Sequence, residues 1–200
     1  DFIDLVRHPF NEEDIEKHIK NNNSDLIAFS GIITTYYQLE ELSNRLKAIY
    51  PDVPQLVGGS VGVSALNIIE KHTKVDFVCE GEGERNIIHL LREISNPKNY
   101  DSVPNLHYRN KFECFVKSES DGIKNYVNEL DSLDFPAYDL VDMEFYIDYS
   151  STIVRTVLGD ESKDIRAIPM VFTRGCPYEC SFCYRLIRKW RHHSSEHVIS

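Results

Sequence analysis

The sequence predicts an α/β fold built on a parallel sheet of the Rossmann or flavodoxin type, and three observations support that prediction. Short apolar runs alternate with amphipathic segments through the first hundred residues. The apolar runs are nearly continuous, as expected for parallel strands that are covered on both faces. Glycines and small polar residues follow several of these runs, where a strand would turn into a helix. Regular alternation of strand and helix gives an open α/β sheet.

The predicted elements of this sheet follow one another closely. Strands are predicted at residues 2–6, 25–31, 54–59 and 75–81. Helices are predicted at residues 11–21, about 36–50, about 62–72 and 83–95. Asn11, followed by acidic residues, is a favourable start for the first helix, because its side chain can cap free backbone N–H groups.

The alternation ends near residue 96, and the sequence predicts three parts. Residues 1–96 form the Rossmann-type domain, which we expect to be incomplete at its N-terminus. Residues 97–164 form an aromatic, acidic linker with a small hairpin about Asn110 and Lys111. Residues 165–200 begin a second unit.

The second unit is predicted to start with a strand, a loop and a helix. Residues 165–173 are apolar enough for a buried strand, which leads directly into a cysteine-rich loop. The tract after the loop has the pattern of a first helical turn, with Ser194 or Ser195 as its cap. The absence of a starting Met and the short second unit lead us to expect a piece of a longer protein.

The charge and composition exclude some classes of function. The net charge is −10, which argues against general nucleic-acid binding, because phosphate contacts need clustered basic residues. Residues 173–200 differ, with five basic and two acidic side chains around the cysteines. No apolar run is long enough to span a membrane, and the N-terminus lacks the pattern of a secretory signal. The cysteine pattern, which favours reduced thiols, leads us to expect a cytoplasmic protein.

The most specific motif is the loop with Cys176, Cys180 and Cys183 in a C-x3-C-x2-C pattern. An odd total of five cysteines, with three close together, favours reduced thiols that bind a metal over a disulfide framework. A cubane iron–sulfur cluster takes four ligands, so three cysteines leave one iron open. Two alternatives remain: unliganded thiols, or a closed zinc site. The fourth zinc ligand would come from His192, His193 or His197.

The tract TRGCPYECSFC (173–183) resembles the cluster loop of radical S-adenosylmethionine enzymes. The resemblance implies that Cys176, Cys180 and Cys183 hold a [4Fe–4S] cluster. The open iron of that cluster would bind S-adenosylmethionine, which is cleaved to a 5′-deoxyadenosyl radical. The loop would follow the first strand of a β/α barrel, and Phe182 would lie beside the adenine. The alternative for Phe182 is packing in a core.

The first domain adds a looser resemblance. Tracts 25–31, 51–60 and 75–84, followed by an acidic linker and the cysteine loop, resemble the cobalamin-binding class of these enzymes. The resemblance implies that cobalamin lies at the carboxyl edge of the sheet, where open α/β folds bind ligands. The residues implied to line its nucleotide tail are Ser30, Gly58, Gly59 and Ser60. The D-x-H-x-x-G cobalt-ligand signature is absent, since His8 does not match its spacing.

The leading functional hypothesis is a radical S-adenosylmethionine enzyme that transfers a methyl group to, or otherwise remodels, an unactivated carbon. The resemblance implies an electron donor such as a flavodoxin or ferredoxin, and a small-molecule or peptide substrate. A full β/α barrel takes about 250 residues, so we expect the 200-residue chain alone not to cleave S-adenosylmethionine productively.

Two alternatives stay open. A methylthiotransferase would need a second cysteine triad in its N-terminal domain, but residues 1–165 hold only Cys79 and Cys114, which are interpreted as inert packing residues. A non-catalytic corrinoid-binding module with a structural zinc site is the other alternative.

Overall fold

The computed structural model describes residues 3–4, 12–95, 99–119, 126–159, 164–184, 187 and 189–199. The chain divides into two compact units. One unit spans residues 12–127, and the other combines residues 1–11 with residues 128–200. Among the described residues, no helix is both long and apolar enough to cross a lipid bilayer.

The unit of residues 12–127 is an α/β sheet domain, as the sequence predicts. Its helices are α1 (Glu12–Asn22), α2 (Tyr36–Ile49), α3 (Gly59–Ser64), α4 (Leu66–His72) and α5 (Gly83–Ser95). Its strands are β1 (Ile27–Ser30), β2 (Gln55–Gly58), β3 (Phe77–Cys79), β4 (Leu106–Arg109) and β5 (Phe115–Lys117). The predicted strand at residues 2–6 lies largely outside the described residues.

The five strands form one sheet in the order β1-β2-β3-β4-β5. The first three strands are parallel, and β4 and β5 are antiparallel to their neighbours. The predicted hairpin is therefore confirmed, and it extends the sheet directly. Its turn is held by the Asn110 side chain, which accepts hydrogen bonds from the backbone N–H groups of Phe112 (2.8 Å) and Cys114 (3.3 Å).

The core of this unit lies on both faces of the sheet, because successive side chains of a strand point to opposite faces. One cluster combines Val57 and Val78 of the strands with residues of α2, α3 and α4. The other combines Leu56 and Phe77 with Leu90 of α5. Helices on both faces explain why the parallel strands are almost continuously apolar.

Arg109 ties the hairpin to the chain segment before β3. Its guanidinium donates hydrogen bonds to the backbone carbonyl groups of Val75 (2.6 Å), Thr73 (2.8 Å) and Glu70 (3.0 Å). It also lies over the ring of Phe115, 4.6 Å from the ring centre. These contacts fix the antiparallel half of the sheet against the parallel half.

The second unit holds one long helix and a small strand pair. Helix α6 (Met143–Leu158) is capped by Asp142, whose side chain accepts from the Phe145 N–H, and it ends at Gly159 in a left-handed conformation. Strands β6 (Thr173–Arg174) and β7 (Arg191–His192) pair in antiparallel fashion, and helix α7 (Ser195–Ile199) follows.

Two predictions for this unit need correction, and one is confirmed. The predicted buried strand at residues 165–173 is too long, since only Thr173 and Arg174 form a strand and Val171 is 72% exposed. The aromatic, acidic tract that was assigned to the linker contains helix α6. The predicted cap of the last helix is confirmed: Ser194 Oγ accepts a hydrogen bond from the His197 N–H at 3.1 Å.

Candidate functional site

Ser30 and Gly58 lie side by side at the carboxyl edge of the sheet. They are paired in the register of β1 and β2 and are the last residues of those strands. The register follows from the parallel pairing, which brings the carboxyl ends of both strands to one edge. This is the edge at which the sequence predicts a bound ligand.

Gly59 permits a close approach between two turns at this edge. Its φ of +71° lies in the left-handed region, which favours glycine. A Cβ atom here would lie 2.8 Å from Ser30 Oγ and 3.1 Å from the carbonyl oxygen of Gly31. The neighbouring turn is held by hydrogen bonds from Ser60 Oγ (3.4 Å) and the Val61 N–H (3.2 Å) to that same oxygen. The structure thus brings all four predicted residues together.

Gly58 differs from Gly59, because a Cβ atom added to it would meet no other atom within 4 Å. The space beside its backbone is therefore open. Ile32, Ile33 and Tyr37, which follow β1, are large apolar side chains with more than half of their surface exposed. Open backbone at glycine and exposed apolar side chains suit contact with the face of a flat ring system.

The turn after β3 is already filled by the chain itself. Gly81 has a φ of +79°, and a Cβ atom there would lie 3.1 Å from the ring of Tyr126. Glu82 is buried, and its carboxylate accepts a hydrogen bond from the Val127 N–H at 3.0 Å. These contacts give the glycine-rich tract of residues 79–84 a structural role. The open edge is therefore formed by the turns after β1 and β2.

Glu80 forms a charged cluster with the hairpin. Its carboxylate lies 3.0 Å from His107 Nε2 and 2.7 Å from Lys117 Nζ. Burial alone would raise the pKa of Glu80, but the hydrogen bonds from Lys117 and His107 outweigh burial and lower it. Glu80 therefore stays ionised at neutral pH and helps to hold β3 against β4 and β5.

The cysteine loop is closed at its base by the backbone. The Cys176 N–H donates a hydrogen bond to the carbonyl oxygen of Ile187 at 3.2 Å, and the Cys183 N–H donates to Cys180 at 3.2 Å. Gly175 has a φ of +80°, and a Cβ atom there would overlap the carbonyl group of Lys189. The loop therefore needs glycine at position 175.

The three cysteines of the loop are accessible. Cys176 is half-buried, and Cys180 and Cys183 are exposed. Phe182 is 92% exposed, so it does not pack in a core. An accessible loop of thiols with an exposed aromatic ring fits a cluster that must meet a second ligand, which is consistent with the residue types of the motif.

The two stacked histidines near the loop do not have the geometry in which one ion would bind both of them. In the described part of the chain, the three ligand atoms that lie within 4.8 Å of one another belong to Asp131, His193 and His197. The rings of His193 and His197 are stacked with planes 11° apart, so one ion cannot lie in the plane of both. The three cysteine sulfurs form no such tight group, and a cubane does not need one, because each cysteine binds a different iron.

The two remaining cysteines lie apart from the loop in sequence and environment. Cys79 is buried in β3, where its sulfur accepts a hydrogen bond from Asn86 Nδ2 at 3.2 Å. Burial raises the pKa of the Cys79 thiol, and the Asn86 hydrogen bond offsets part of that effect. Cys114 is exposed in the turn of the hairpin.

The sheet unit matches a known family. Residues 1–91 match the family model described as the B12 binding domain. Over these residues the chain is similar to a B12 binding domain. This match covers the three parallel strands and the glycine edge, and it agrees with the predicted cobalamin-binding type of Rossmann fold.

Relatives of known name resemble the chain over most of its length. An uncharacterized methyltransferase of Pyrococcus horikoshii is 23% identical over 98% of this chain and 40% of its own length. The cobalamin-dependent radical SAM methyltransferase TokK of Streptomyces tokunonensis is 28% identical over 80% of this chain and 22% of its own length. The chain spans less than half the length of these relatives.

A solved structure shows the same fold. The radical S-adenosylmethionine methyltransferase TsrM of Kitasatospora setae, solved with cobalamin and a [4Fe–4S] cluster, superposes with a TM-score of 0.69 at 14% identity. The match covers 98% of this chain and 38% of that chain. The predicted resemblance to B12-domain radical S-adenosylmethionine proteins is confirmed.

Sequence reasoning missed one group of residues. Asp131, from the predicted linker, contacts His193 and Ser194 beyond the cysteine loop. The partners are more than sixty residues apart, and no local pattern links them. The one local signal is the run of acidic residues in this tract, which indicates exposure as readily as a contact.

Proposed function

We propose that this chain binds a [4Fe–4S] cluster through Cys176, Cys180 and Cys183 and cobalamin at the edge formed by Ser30 and Gly58–Ser60. The protein to which it belongs would transfer a methyl group to, or otherwise remodel, an unactivated carbon. When bound, the cluster would supply the electron that cleaves S-adenosylmethionine, and cobalamin would supply a methyl carrier.

The observation that carries the proposal is one chain with a B12 binding domain and an accessible C-x3-C-x2-C loop. The relative named as a cobalamin-dependent radical SAM methyltransferase, TokK, aligns with 80% of this chain. The closed base of the loop fixes its first cysteine through the Ile187 carbonyl group and leaves its thiols accessible. Backbone hydrogen bonds and Gly175 would position the cysteines, and the cysteine thiolates would bind the cluster.

The exposed ring of Phe182 supports a role beside the adenine of S-adenosylmethionine, because a flat ring that is not buried offers a stacking surface. The basic residues near the loop would offset the negative charge of the cluster and of the bound carboxylate. They are Arg174, Arg185, Arg188, Lys189 and Arg191. A small electron-transfer protein such as a flavodoxin or ferredoxin would reduce the cluster.

The test is metal analysis after anaerobic reconstitution of the chain with ferrous iron and sulfide. About four irons and four sulfides per chain are expected in the wild type. The variant with Cys176, Cys180 and Cys183 all changed to alanine should retain almost none, while Cys114→Ala should match the wild type. One tightly bound zinc and no iron–sulfur absorbance would instead favour the corrinoid module with structural zinc.

Cobalamin binding needs its own test. Titration with aquacobalamin should give a saturable spectral change or a calorimetric signal with a stoichiometry of one. The methylthiotransferase alternative would require a second cluster. Two clusters per chain, with the second one lost in Cys79→Ala, would support that alternative, but the buried sulfur of Cys79 already has Asn86 as its partner.

A further inference from the structure

We propose that Asp131 is a positioning residue for the cysteine loop, because its carboxylate fastens the chain where the loop returns to the fold. The proposal rests on the proposed function, since the loop is taken to hold the cluster. It assigns a role to a residue of the segment that follows the B12 domain, far from the cysteines in sequence.

The carboxylate of Asp131 has three hydrogen bonds beyond the loop. The Ser194 N–H donates to Oδ1 at 3.1 Å and to Oδ2 at 3.2 Å, and His193 Nδ1 lies 3.0 Å from Oδ1. Asp131 lies in a 3-10 turn, Leu130–Ser132, whose first residue is buried with 1% exposure. Because the Leu130 side chain is buried, it anchors the turn and restricts the movement of the Asp131 carboxylate.

A simple helix cap does not explain these contacts. The cap of α7 is Ser194, whose Oγ accepts from the His197 N–H. Asp131 contacts the residues just before the helix instead: it accepts hydrogen bonds from the backbone N–H of Ser194, and it contacts the side chain of His193. Hydrogen bonds from Ser194, together with His193, hold the pKa of Asp131 below its usual range, so the carboxylate is ionised at neutral pH.

His193 also contacts the chain just before β6, the strand that enters the loop. The His193 N–H donates to the carbonyl oxygen of Phe172 at 2.9 Å. The next residues inward pair in β6 and β7, Thr173 with His192 and Arg174 with Arg191. A displacement of His193 would therefore move both strands at the base of the cysteine loop.

A second contact from the same segment holds the returning arm of the loop at another point. Lys189 Nζ donates to Asn128 Oδ1 at 2.6 Å, and the Lys189 carbonyl group is the one that lies against Gly175. Asn128 and Asp131 are three residues apart in the chain. Asn128 contacts Lys189, and Asp131 contacts His193 and Ser194. Phe135 adds a third contact, since its ring stacks on His197 with centres 4.5 Å apart.

The first experiment uses the metal-free chain and compares Asp131→Asn with Asp134→Asn. Asp134 is an exposed carboxylate three residues away, so it controls for the loss of one charge. Hydrogen exchange of peptides that cover residues 187–194 should be about tenfold faster in Asp131→Asn, because charge-assisted hydrogen bonds are lost. Exchange in Asp134→Asn should equal that of the wild type. Equal exchange in all three chains would overturn the fastening role.

The second experiment uses the reconstituted chain. Asp131→Asn should still assemble a cluster, lose its iron to a chelator several-fold faster, and show altered g values in the electron paramagnetic resonance spectrum of the reduced cluster. A role in folding alone would not alter those g values in the folded variant. Wild-type g values and chelation rate in Asp131→Asn would overturn the positioning role. A wild-type chain that binds no cluster would overturn the proposed function. The hydrogen exchange of the metal-free chain would still show whether Asp131 holds residues 193–194 in place.

Discussion

The α-carbon of Gly175 lies directly against the backbone carbonyl group of Lys189, where the two arms of the cysteine loop meet. No side chain fits between them, and the φ of +80° at Gly175 disfavours every residue with a Cβ atom. The first cysteine of the loop follows immediately. The close approach of these two backbones therefore sets the entrance of the loop.

Gly175→Ala should open the base of the loop. The left-handed conformation costs about 1–2 kcal/mol for a residue with a Cβ atom, and the overlap with Lys189 adds to that cost. We expect reconstituted Gly175→Ala to hold less than about half of the wild-type iron, because one displaced cysteine leaves the cluster short of a ligand. Iron and sulfide assays check this.

Gly83→Ala is the control for this substitution. A Cβ atom at Gly83 would meet no other atom within 4 Å, and its backbone is not in the left-handed region. Its iron content should match the wild type. Wild-type iron content in Gly175→Ala as well would show that the loop does not depend on the approach of the two backbones.

Gly58→Ala should weaken cobalamin binding without loss of stability. The new methyl group would enter the open space beside β2, where no atom of the chain lies within 4 Å. If cobalamin lies on that backbone, the affinity should fall about tenfold, which corresponds to about 1.4 kcal/mol. Titration with aquacobalamin measures the affinity, and urea unfolding measures the stability.

Gly59→Ala is the informative contrast, since a Cβ atom there would meet Ser30 Oγ at 2.8 Å in a left-handed conformation. It should lower stability and affinity together. Unchanged affinity in Gly58→Ala would place cobalamin elsewhere on the domain.

Much of the sheet domain could be predicted from the sequence, because its signals are local. Apolar runs and helical spacing predicted β1, β2 and β3, and α5 was predicted with the bounds that the structure gives. The helix predicted at about residues 62–72 is instead two helices that meet at Ala65. The first of these helices begins at Gly59. The spacing of apolar residues could not predict this start, because it carries no information on the left-handed φ of Gly59.

The second unit was harder to predict, because several of its apolar side chains are exposed, so an apolar run there does not indicate a buried strand. Residues such as Val171 and Phe172 read as a buried strand, yet both side chains are exposed. Helix α6 was missed because Tyr, Ile, Val and Thr residues favour strands. Its Asp142 cap and the glycine at its end were the available signals. The Asp131 contacts are long-range and could not be predicted from any local pattern.

The stability of the sheet domain should fall in acid partly through Glu80. Its pKa in the folded state lies below the ordinary value of 4.5, so the ionised form is stabilised by folding. That contribution is complete above about pH 5 and is lost as the pH falls through the folded-state pKa. Glu80→Gln should therefore lower the free energy of unfolding by about 1 kcal/mol at pH 7 and by less at acidic pH.

Urea unfolding at several pH values measures this effect. Glu41→Gln is the control, since Glu41 is an exposed carboxylate on α2. A difference between wild type and Glu80→Gln that stays constant from pH 7 to strong acid would contradict the assigned interaction with Lys117 and His107.

Thiol labelling should separate the five cysteines into three classes. In the metal-free chain under anaerobic conditions, iodoacetamide should modify Cys114, Cys180 and Cys183 fast, since all three are exposed, and the half-buried Cys176 somewhat more slowly. Cys79 should resist, because burial shields its sulfur and raises the pKa of its thiol, so little thiolate is available.

Reconstitution with ferrous iron and sulfide should then protect only the three cysteines of the loop. Ligated thiolates are not free to attack the reagent, whereas Cys114 lies in the hairpin of the sheet unit and should stay reactive. Mass spectrometry of peptides reads all five sites in one sample. Cys114 thus reports that the reagent is active, and Cys79 that the fold is intact. Loop cysteines that are labelled at the same rate with and without iron and sulfide would contradict their assignment as cluster ligands.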